Sequence, residues 1–188
     1  MKTQLSLVVL VFSLISACDD TAANNNNVNN TNNLNNTNNN LPPDFMDYPA
    51  RVVSVSDGDT FYVRWLDKTV KIRLKGVNTP EIAHSGVPAE PFGVAAMDFT
   101  IDHLPQSSWV GLEFDDPQCA WETPPASCYD VYDRLLAYAV TELNQDLGAQ
   151  LLVNGLAEVY TSAIFNRKTL YLQYQQSAID AGLGIWSK

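Results

Sequence analysis

Five polar residues, Asp59, Arg73, Asn78, Glu81 and Arg134, have the types and spacing that phosphate chemistry requires. Hydrolysis of a phosphodiester needs positive charge against the phosphoryl oxygens and a base to take a proton from water. Asp59 offers a hard carboxylate oxygen suited to Ca²⁺ or Mg²⁺, Asn78 an amide oxygen, and Thr79 its main-chain carbonyl. Glu81, three residues beyond Asn78, is read as the general base. Arg73 and Arg134 form a cationic clamp, because planar guanidinium groups grip phosphate oxygens two at a time. Taken singly, each part has a plainer reading: Asp57-Gly58 as a hairpin turn, Glu81 as a turn glutamate after Pro80, and either arginine as a solvated strand residue. Their joint order carries the argument.

The elements that must hold these groups show as alternating runs. Val53 and Val55 alternate with Ser54 and Ser56. Phe61, Val63 and Trp65 alternate with Tyr62 and Arg64, and Val70, Ile72 and Leu74 with Lys71, Arg73 and Lys75, so three strands are expected. Strand side chains alternate between faces, which puts Arg73 opposite the core beside Lys71 and Lys75, on a face suited to substrate phosphate. Pro88 to Leu104 predicts a helix presenting Phe92, Ala95, Ala96, Phe99 and His103, with Pro91 in its first turn. Ser108 to Phe114 and Arg134 to Val140 return to strand character. A short helix over 146–154 ends at Gly155, and a longer one over 167–181 ends at Gly182. This order suggests a small closed or nearly closed β-barrel with helices outside it.

The segments Asp57-Gly58-Asp59-Thr60, Ile72-Arg73-Leu74-Lys75-Gly76-Val77-Asn78-Thr79-Pro80-Glu81 and Tyr132-Asp133-Arg134-Leu135-Leu136-Ala137-Tyr138 resemble the staphylococcal nuclease (thermonuclease-like) family. Val153-Asn154-Gly155-Leu156-Ala157 and Ile185-Trp186-Ser187 extend the resemblance over about residues 49–188. It implies an α+β fold, a five-stranded OB-fold β-barrel with about three helices packed outside. It also implies a calcium-dependent endonuclease that hydrolyses DNA and/or RNA with low sequence preference and leaves 3′-phosphates. On this resemblance Asp59, Asn78 and Thr79 are the Ca²⁺ ligands and Tyr132 lies at the nucleotide pocket. Two departures stand out. Asn78 replaces the family's aspartate, keeping an oxygen but losing a charge, so weaker Ca²⁺ binding is expected. Asp133 and Leu135 replace glycines usual beside the second arginine, which puts the aim of Arg134 at issue.

The whole chain sets further bounds. Its 188 residues are 46% hydrophobic, enough for one core of ordinary domain size once leader and linker are set aside. Residues 1–18 read as a secretory leader, with Lys2 at the start, an apolar stretch from Leu5 to Ile15 and small residues before the cleavage point. That stretch is too short to span a bilayer permanently. Ile15-Ser16-Ala17-Cys18 looks like the lipobox of bacterial lipoproteins, which would lipidate Cys18 and anchor the protein to a membrane of the bacterial cell envelope, facing periplasm or exterior. An ordinary signal peptide is the alternative. Residues 19–47 read as a disordered tether, with thirteen asparagines between positions 24 and 40 and little apolar surface. As a flexible coil it would reach roughly 30 Å. Residues 48–188 form the folded domain, expected to be a monomer. With Cys18 lipidated, Cys119 and Cys128 are the thiols left in an oxidising compartment and are expected to pair, two unpaired buried thiols being the alternative.

Charge argues the other way. The chain carries a formal charge of −10, which opposes tight nonspecific binding of a polyanion. Arg64, Lys68, Lys71, Arg73 and Lys75 cluster with only Asp67 among them. Glu113, Asp115, Asp116, Glu122, Asp130 and Asp133 surround the cysteine loop ahead of Arg134, a loop read chiefly as solvent-facing. Trp121 within it suits either base stacking or packing against the barrel. His84 and His103 lack ligand-like partners and are read as a loop and a helix residue. A catalytically silent OB-fold module that binds nucleic acid or protein is therefore the competing reading.

Overall fold

The computed structural model describes residues 41–84 and 86–187. The leader, Cys18 and the asparagine tract lie outside the described residues. In chain order the elements are β1 (Tyr48–Asp57), β2 (Thr60–Trp65), β3 (Lys68–Leu74), β4 (Val77–Asn78), α1 (Gly93–His103), β5 (Trp109–Glu113), β6 (Leu135–Val140), α2 (Leu147–Val153), β7 (Glu158–Val159) and α3 (Lys168–Ala181). Five strands close into a barrel in the order β1-β2-β3-β6-β5, and β4 pairs with β7 as a separate ribbon. Neighbours in the barrel are antiparallel except β3 and β6, which run parallel and so need the long crossover through α1 and β5. This is the expected α+β OB-type barrel with three helices. Packing begins at Met46, which is buried against Gly111 of β5.

The clean alternation of β2 and β3 translates directly into burial. Phe61, Val63, Ile72 and Leu74 enter the core, and the register sets Phe61 opposite Ile72. Leu66 and Asp67 turn the hairpin with φ of 46° and 59°, the paired left-handed geometry whose twist matches two antiparallel strands.

Two sequence expectations fail here for identifiable reasons. In β1 the core residues are Ala50 and Val52, not Val53, because bulges at Val53 and Ser56 shift the register against β2 and reverse the inward phase. In α1 the buried face is Gly93, Ala96 and Thr100, not Phe92 and Ala95. Phe92 precedes the helix at φ 69°, leaving Pro88 and Pro91 outside it. Small residues win because the helix lies hard against the β1–β2 turn, where a Cβ on Gly58 would come within 2.8 Å of Ala96 Cβ. Thr100 Oγ1 donates to the Gly58 carbonyl at 2.6 Å and pins that turn.

At the other end, Asp146 caps α2 by accepting from Ala149 N at 3.2 Å. It also receives Tyr171 Oη at 2.9 Å and Arg167 Nη1 at 2.7 Å, while Arg167 pairs with Glu113 of β5 as well. Gly182, at φ 62°, closes α3.

Candidate active site

The β1–β2 turn presents Asp59 from a buried position, 2% exposed. Its Oδ1 accepts from Thr60 Oγ1 at 2.9 Å, and its Oδ2 accepts from the Thr79 amide at 3.0 Å and pairs with Arg73 Nη1 at 2.7 Å. Gly58 is required: an added Cβ would also lie 2.8 Å from Thr79 Oγ1. The turn is therefore wedged between α1 and the segment that carries Asn78 and Thr79.

Arg73 does not stand on an open face as strand alternation predicts. Its side chain is only 12% exposed, because Gly76 at φ 82° folds the chain back over it after β3. Arg73 Nη1 also donates to the Val77 carbonyl at 2.7 Å, and Nη2 to Asn78 Oδ1 at 2.8 Å. One guanidinium thus bridges Asp59 and Asn78. Burial lowers the Arg73 pKa, Asp59 opposes that shift, Arg134 adds to it, and Glu81 and Asp130 oppose it. The residues nominated from three distant segments share one electrostatic neighbourhood.

Glu81 is exposed and its backbone is tied to the approach to α1. Its amide donates to Glu90 Oε2 at 3.0 Å, and Glu90 N returns a bond to the Glu81 carbonyl at 2.9 Å. Gly93 makes room for this, since a Cβ there would sit 2.3 Å from the Glu81 carbonyl oxygen. Asp57, read from the sequence only as a turn residue, meets the Glu81 carboxylate. Burial raises the Asp57 pKa to about 6, with hydrogen bonding to Glu81 and its charge adding to the rise against the Gly58 amide and Arg73.

Arg134 enters from the loop before β6. Its Nη1 donates to Thr60 Oγ1 at 3.2 Å, next to Asp59, while its Nε pairs with Asp130 Oδ2 at 2.7 Å. Asp130 Oδ1 also accepts from the Tyr132 and Arg134 amides at 2.9 and 3.0 Å, so one carboxylate fixes both the loop and the guanidinium. Burial alone would raise the Asp130 pKa, but the Arg134 and Tyr132 bonds hold it below the usual carboxylate range. Asp133 takes the left-handed φ of 59° that its glycine counterpart would adopt easily, and Leu135 is fully buried in β6. With both departures in place, Arg134 reaches Thr60 beside Asp59. Tyr132 is 75% exposed, its ring 5.2 Å from the Arg134 guanidinium carbon.

Cys119 and Cys128 form a disulfide with Cα atoms 5.5 Å apart, two residues before Asp130. Closing so short a loop constrains the unfolded chain by about 2–3 kcal/mol. The loop acids divide: Asp116, Glu122 and Asp133 face solvent, whereas Glu113, Asp115 and Asp130 are half-buried and paired with cations. Asp116 caps the turn at Pro117–Ala120, and Asp115 binds Lys75 Nζ at 2.9 Å, the Tyr138 hydroxyl at 2.8 Å and the Asn166 amide at 3.2 Å. Lys75 is thereby engaged with Asp115, whereas Lys71 lies over the Tyr62 ring. His84 falls in a loop, and His103 Nδ1 lies 2.8 Å from the Phe99 carbonyl in α1. Trp121 is exposed.

Among the described residues, no three His, Cys, Asp or Glu side chains gather into a metal cluster. A cation here would rely on one carboxylate, Asp59, supplemented by the Asn78 amide and the Thr79 carbonyl. The set fits a hard divalent ion. All its donors are oxygen, and Asp59 and Asn78 already converge on a single cationic group, the Arg73 guanidinium. The sequence could not single out Glu90, Gly93 or Asp130, which lie outside the quoted segments, and it left Asp57 as a turn residue within Asp57-Gly58-Asp59-Thr60, since each acts through a contact made only by folding.

Comparison with known proteins places the chain in a family. The family described as staphylococcal nuclease homologue matches residues 71–188. The chain is 32% identical over 139 residues to a thermonuclease of Staphylococcus intermedius, covering 73% of this chain and 75% of that one. It is 29% identical over 201 residues to an uncharacterized protein of Methanocaldococcus jannaschii, covering 100% of this chain and 95% of that protein. A probable endonuclease LCL3 of Arthroderma otae is 29% identical over 164 residues, with 72% of this chain matched to 55% of that longer protein. With a family match over more than half its length, the chain belongs to the staphylococcal nuclease homologue family.

Proposed function

We propose that the protein is a calcium-dependent endonuclease that hydrolyses phosphodiester bonds in DNA and/or RNA with little sequence preference. The observation that carries this reading is the Arg73 guanidinium bridging Asp59 and Asn78, with Glu81 and Arg134 inside its electrostatic reach. Asp59, Asn78 and the Thr79 carbonyl would hold the Ca²⁺. When bound, it supplies positive charge beside the phosphoryl oxygens. Glu81 takes a proton from the attacking water as the water oxygen bonds to phosphorus. Arg73 and Arg134 hold the phosphoryl oxygens and stabilise the charge that develops as the P–O bond to the departing 5′ oxygen breaks, leaving a 3′-phosphate. Tyr132, exposed beside Arg134, lines the nucleotide pocket.

The loss of one ligand charge at Asn78 leaves a site of modest affinity, suited to the millimolar calcium found outside cells. The leader pattern ending at Cys18 supports an enzyme anchored by lipid to a membrane of the bacterial cell envelope, facing periplasm or exterior, and we take the folded domain to act as a monomer. Digestion of single- and double-stranded DNA with Ca²⁺ and then with a chelator tests the reaction. Cleavage should appear with Ca²⁺ and stop on chelation. Binding without cleavage under any divalent metal would overturn the reading in favour of a silent OB-fold module, the alternative that the acidic charge and Asn78 keep open.

A further inference from the structure

The oxygen donors around Arg73 are short of negative charge. Asp59 brings one carboxylate and pairs with Arg73 Nη1 at 2.7 Å, while Asn78 brings a neutral amide that accepts from Arg73 Nη2 at 2.8 Å. These three side chains sum to zero, and oxygen sites draw their calcium affinity from ligand charge. The β4–β7 ribbon sets a further carboxylate beside them. Its register pairs Val77 with Val159 and Asn78 with Glu158. Val77 and Val159 are buried, whereas Asn78 and Glu158 are exposed, so the latter two share the outer face. Residues directly opposite each other hold their Cβ atoms about 5 Å apart. Neighbouring main-chain amides fix this placement: Tyr160 N donates to the Gly76 carbonyl at 2.9 Å, and Val159 N to Gln175 Oε1 of α3 at 2.7 Å.

Asn78 and Glu158 line a cleft of about 340 Å³ together with Pro80, Glu90, Pro91 and Ile185. Glu90 is already engaged there, since its Oε2 accepts from the Glu81 amide at 3.0 Å. The Glu158 carboxylate makes no hydrogen bond or ion pair among the described residues. An aspartate at position 78 would face Glu158 as a like charge, which weakens a strand pair, and the amide removes that repulsion. We propose that Glu158 supplies, from across the ribbon, negative charge that the Asn78 amide lacks, and so sets the calcium affinity of the site formed by Asp59, Asn78 and Thr79. The proposal rests on the calcium-dependent nuclease reading and adds to it a residue that tunes ion binding without touching the reacting atoms. A unit charge several ångströms from a divalent cation, largely in water, changes its affinity about three- to tenfold.

The test follows the melting temperature of the full chain as CaCl₂ rises to about 30 mM at constant ionic strength, and reads the half-saturating concentration. Glu158→Gln should raise that concentration about three- to tenfold. Its melting temperature in chelator should match wild type, because the side chain it alters is exposed and unpartnered. Moving the charge back, with Asn78→Asp added to Glu158→Gln, should return the half-saturating concentration to the wild-type value or below it. Asp67→Asn, at the tip of the β2–β3 hairpin away from Arg73, should leave it within about twofold. Calcium binding by Glu158→Gln equal to wild type would overturn the proposal. So would an equal loss in Asp67→Asn, which would reduce the effect to net charge, or a double variant no better than Glu158→Gln. A melting temperature that calcium never moves would overturn it whatever the chain cleaves. A wild-type chain that shows the Glu158 dependence yet cleaves no DNA would end the nuclease reading alone and support the charge assignment.

Discussion

Arg73 reaches the site from a strand of the closed barrel, with its guanidinium nearly enclosed by Asp59, Asn78 and the Val77 carbonyl. Arg134 reaches the same place from a loop, steered by the single carboxylate of Asp130, which follows the disulfide by two residues. The first is positioned by the fold itself and the second by a local, partly solvated device. Their side chains are 12% and 21% exposed, their partners 3% and 18%. Two arginines to which we assign one chemical task therefore carry very different structural loads.

Removing each guanidinium should break the comparison most sharply. Arg73→Met and Arg134→Met should each lower kcat by about 10²–10³, the usual loss of a charge aimed at a developing oxyanion. In urea melts Arg73→Met should also lose about 3–5 kcal/mol, because it strands a buried carboxylate, whereas Arg134→Met should lose about 1 kcal/mol or less. Equal stability losses would erase the distinction.

Intermediate effects are expected where a group acts through another. Gly93→Ala suits a helix start but pushes a Cβ into the Glu81 carbonyl, so kcat should fall about 10- to 100-fold through misplacement of the base. Asp130→Asn loosens Arg134 and should lower kcat by about tenfold, with the Ca²⁺-induced rise in melting temperature unchanged. Both are read from single-turnover rates beside calcium-dependent melting.

The smallest effect concerns pH. Asp57 has its folded pKa raised to about 6, so its contribution to stability is full below the unfolded carboxylate range and is lost as pH rises through 6. Asp57→Asn lacks that loss. Its melting temperature relative to wild type should climb by a few degrees between pH 4 and pH 7, a difference that scanning calorimetry resolves.

The regular parts of this arrangement could be read in the sequence. β2 and β3 show unbroken alternation, the caps at Asp146 and Gly182 fall at the ends of periodic runs, and the motif segments name Asp59, Arg73, Asn78, Glu81 and Arg134 together. What escaped follows from exceptions to periodicity. The bulge at Val53 reversed the inward phase of β1, and close approach to the Gly58 turn selected small residues on α1 over the larger ones that the pattern favoured. Arg73 was expected in the open because alternation fixes only the side of a strand, not the chain that folds back over it at Gly76. Asp130 and Asp57 look like ordinary loop acids until folding sets one against Arg134 and the other against Glu81.

Glu81→Gln offers the most direct measurement, its cleavage rate on single-stranded DNA in saturating Ca²⁺ being compared with its calcium-induced stabilisation. With Glu81 as the base at a site built by Asp59, Asn78, Arg73 and Arg134, the rate should fall by about 10²–10⁴ while calcium still raises the melting temperature. Digestion at the wild-type rate would contradict it.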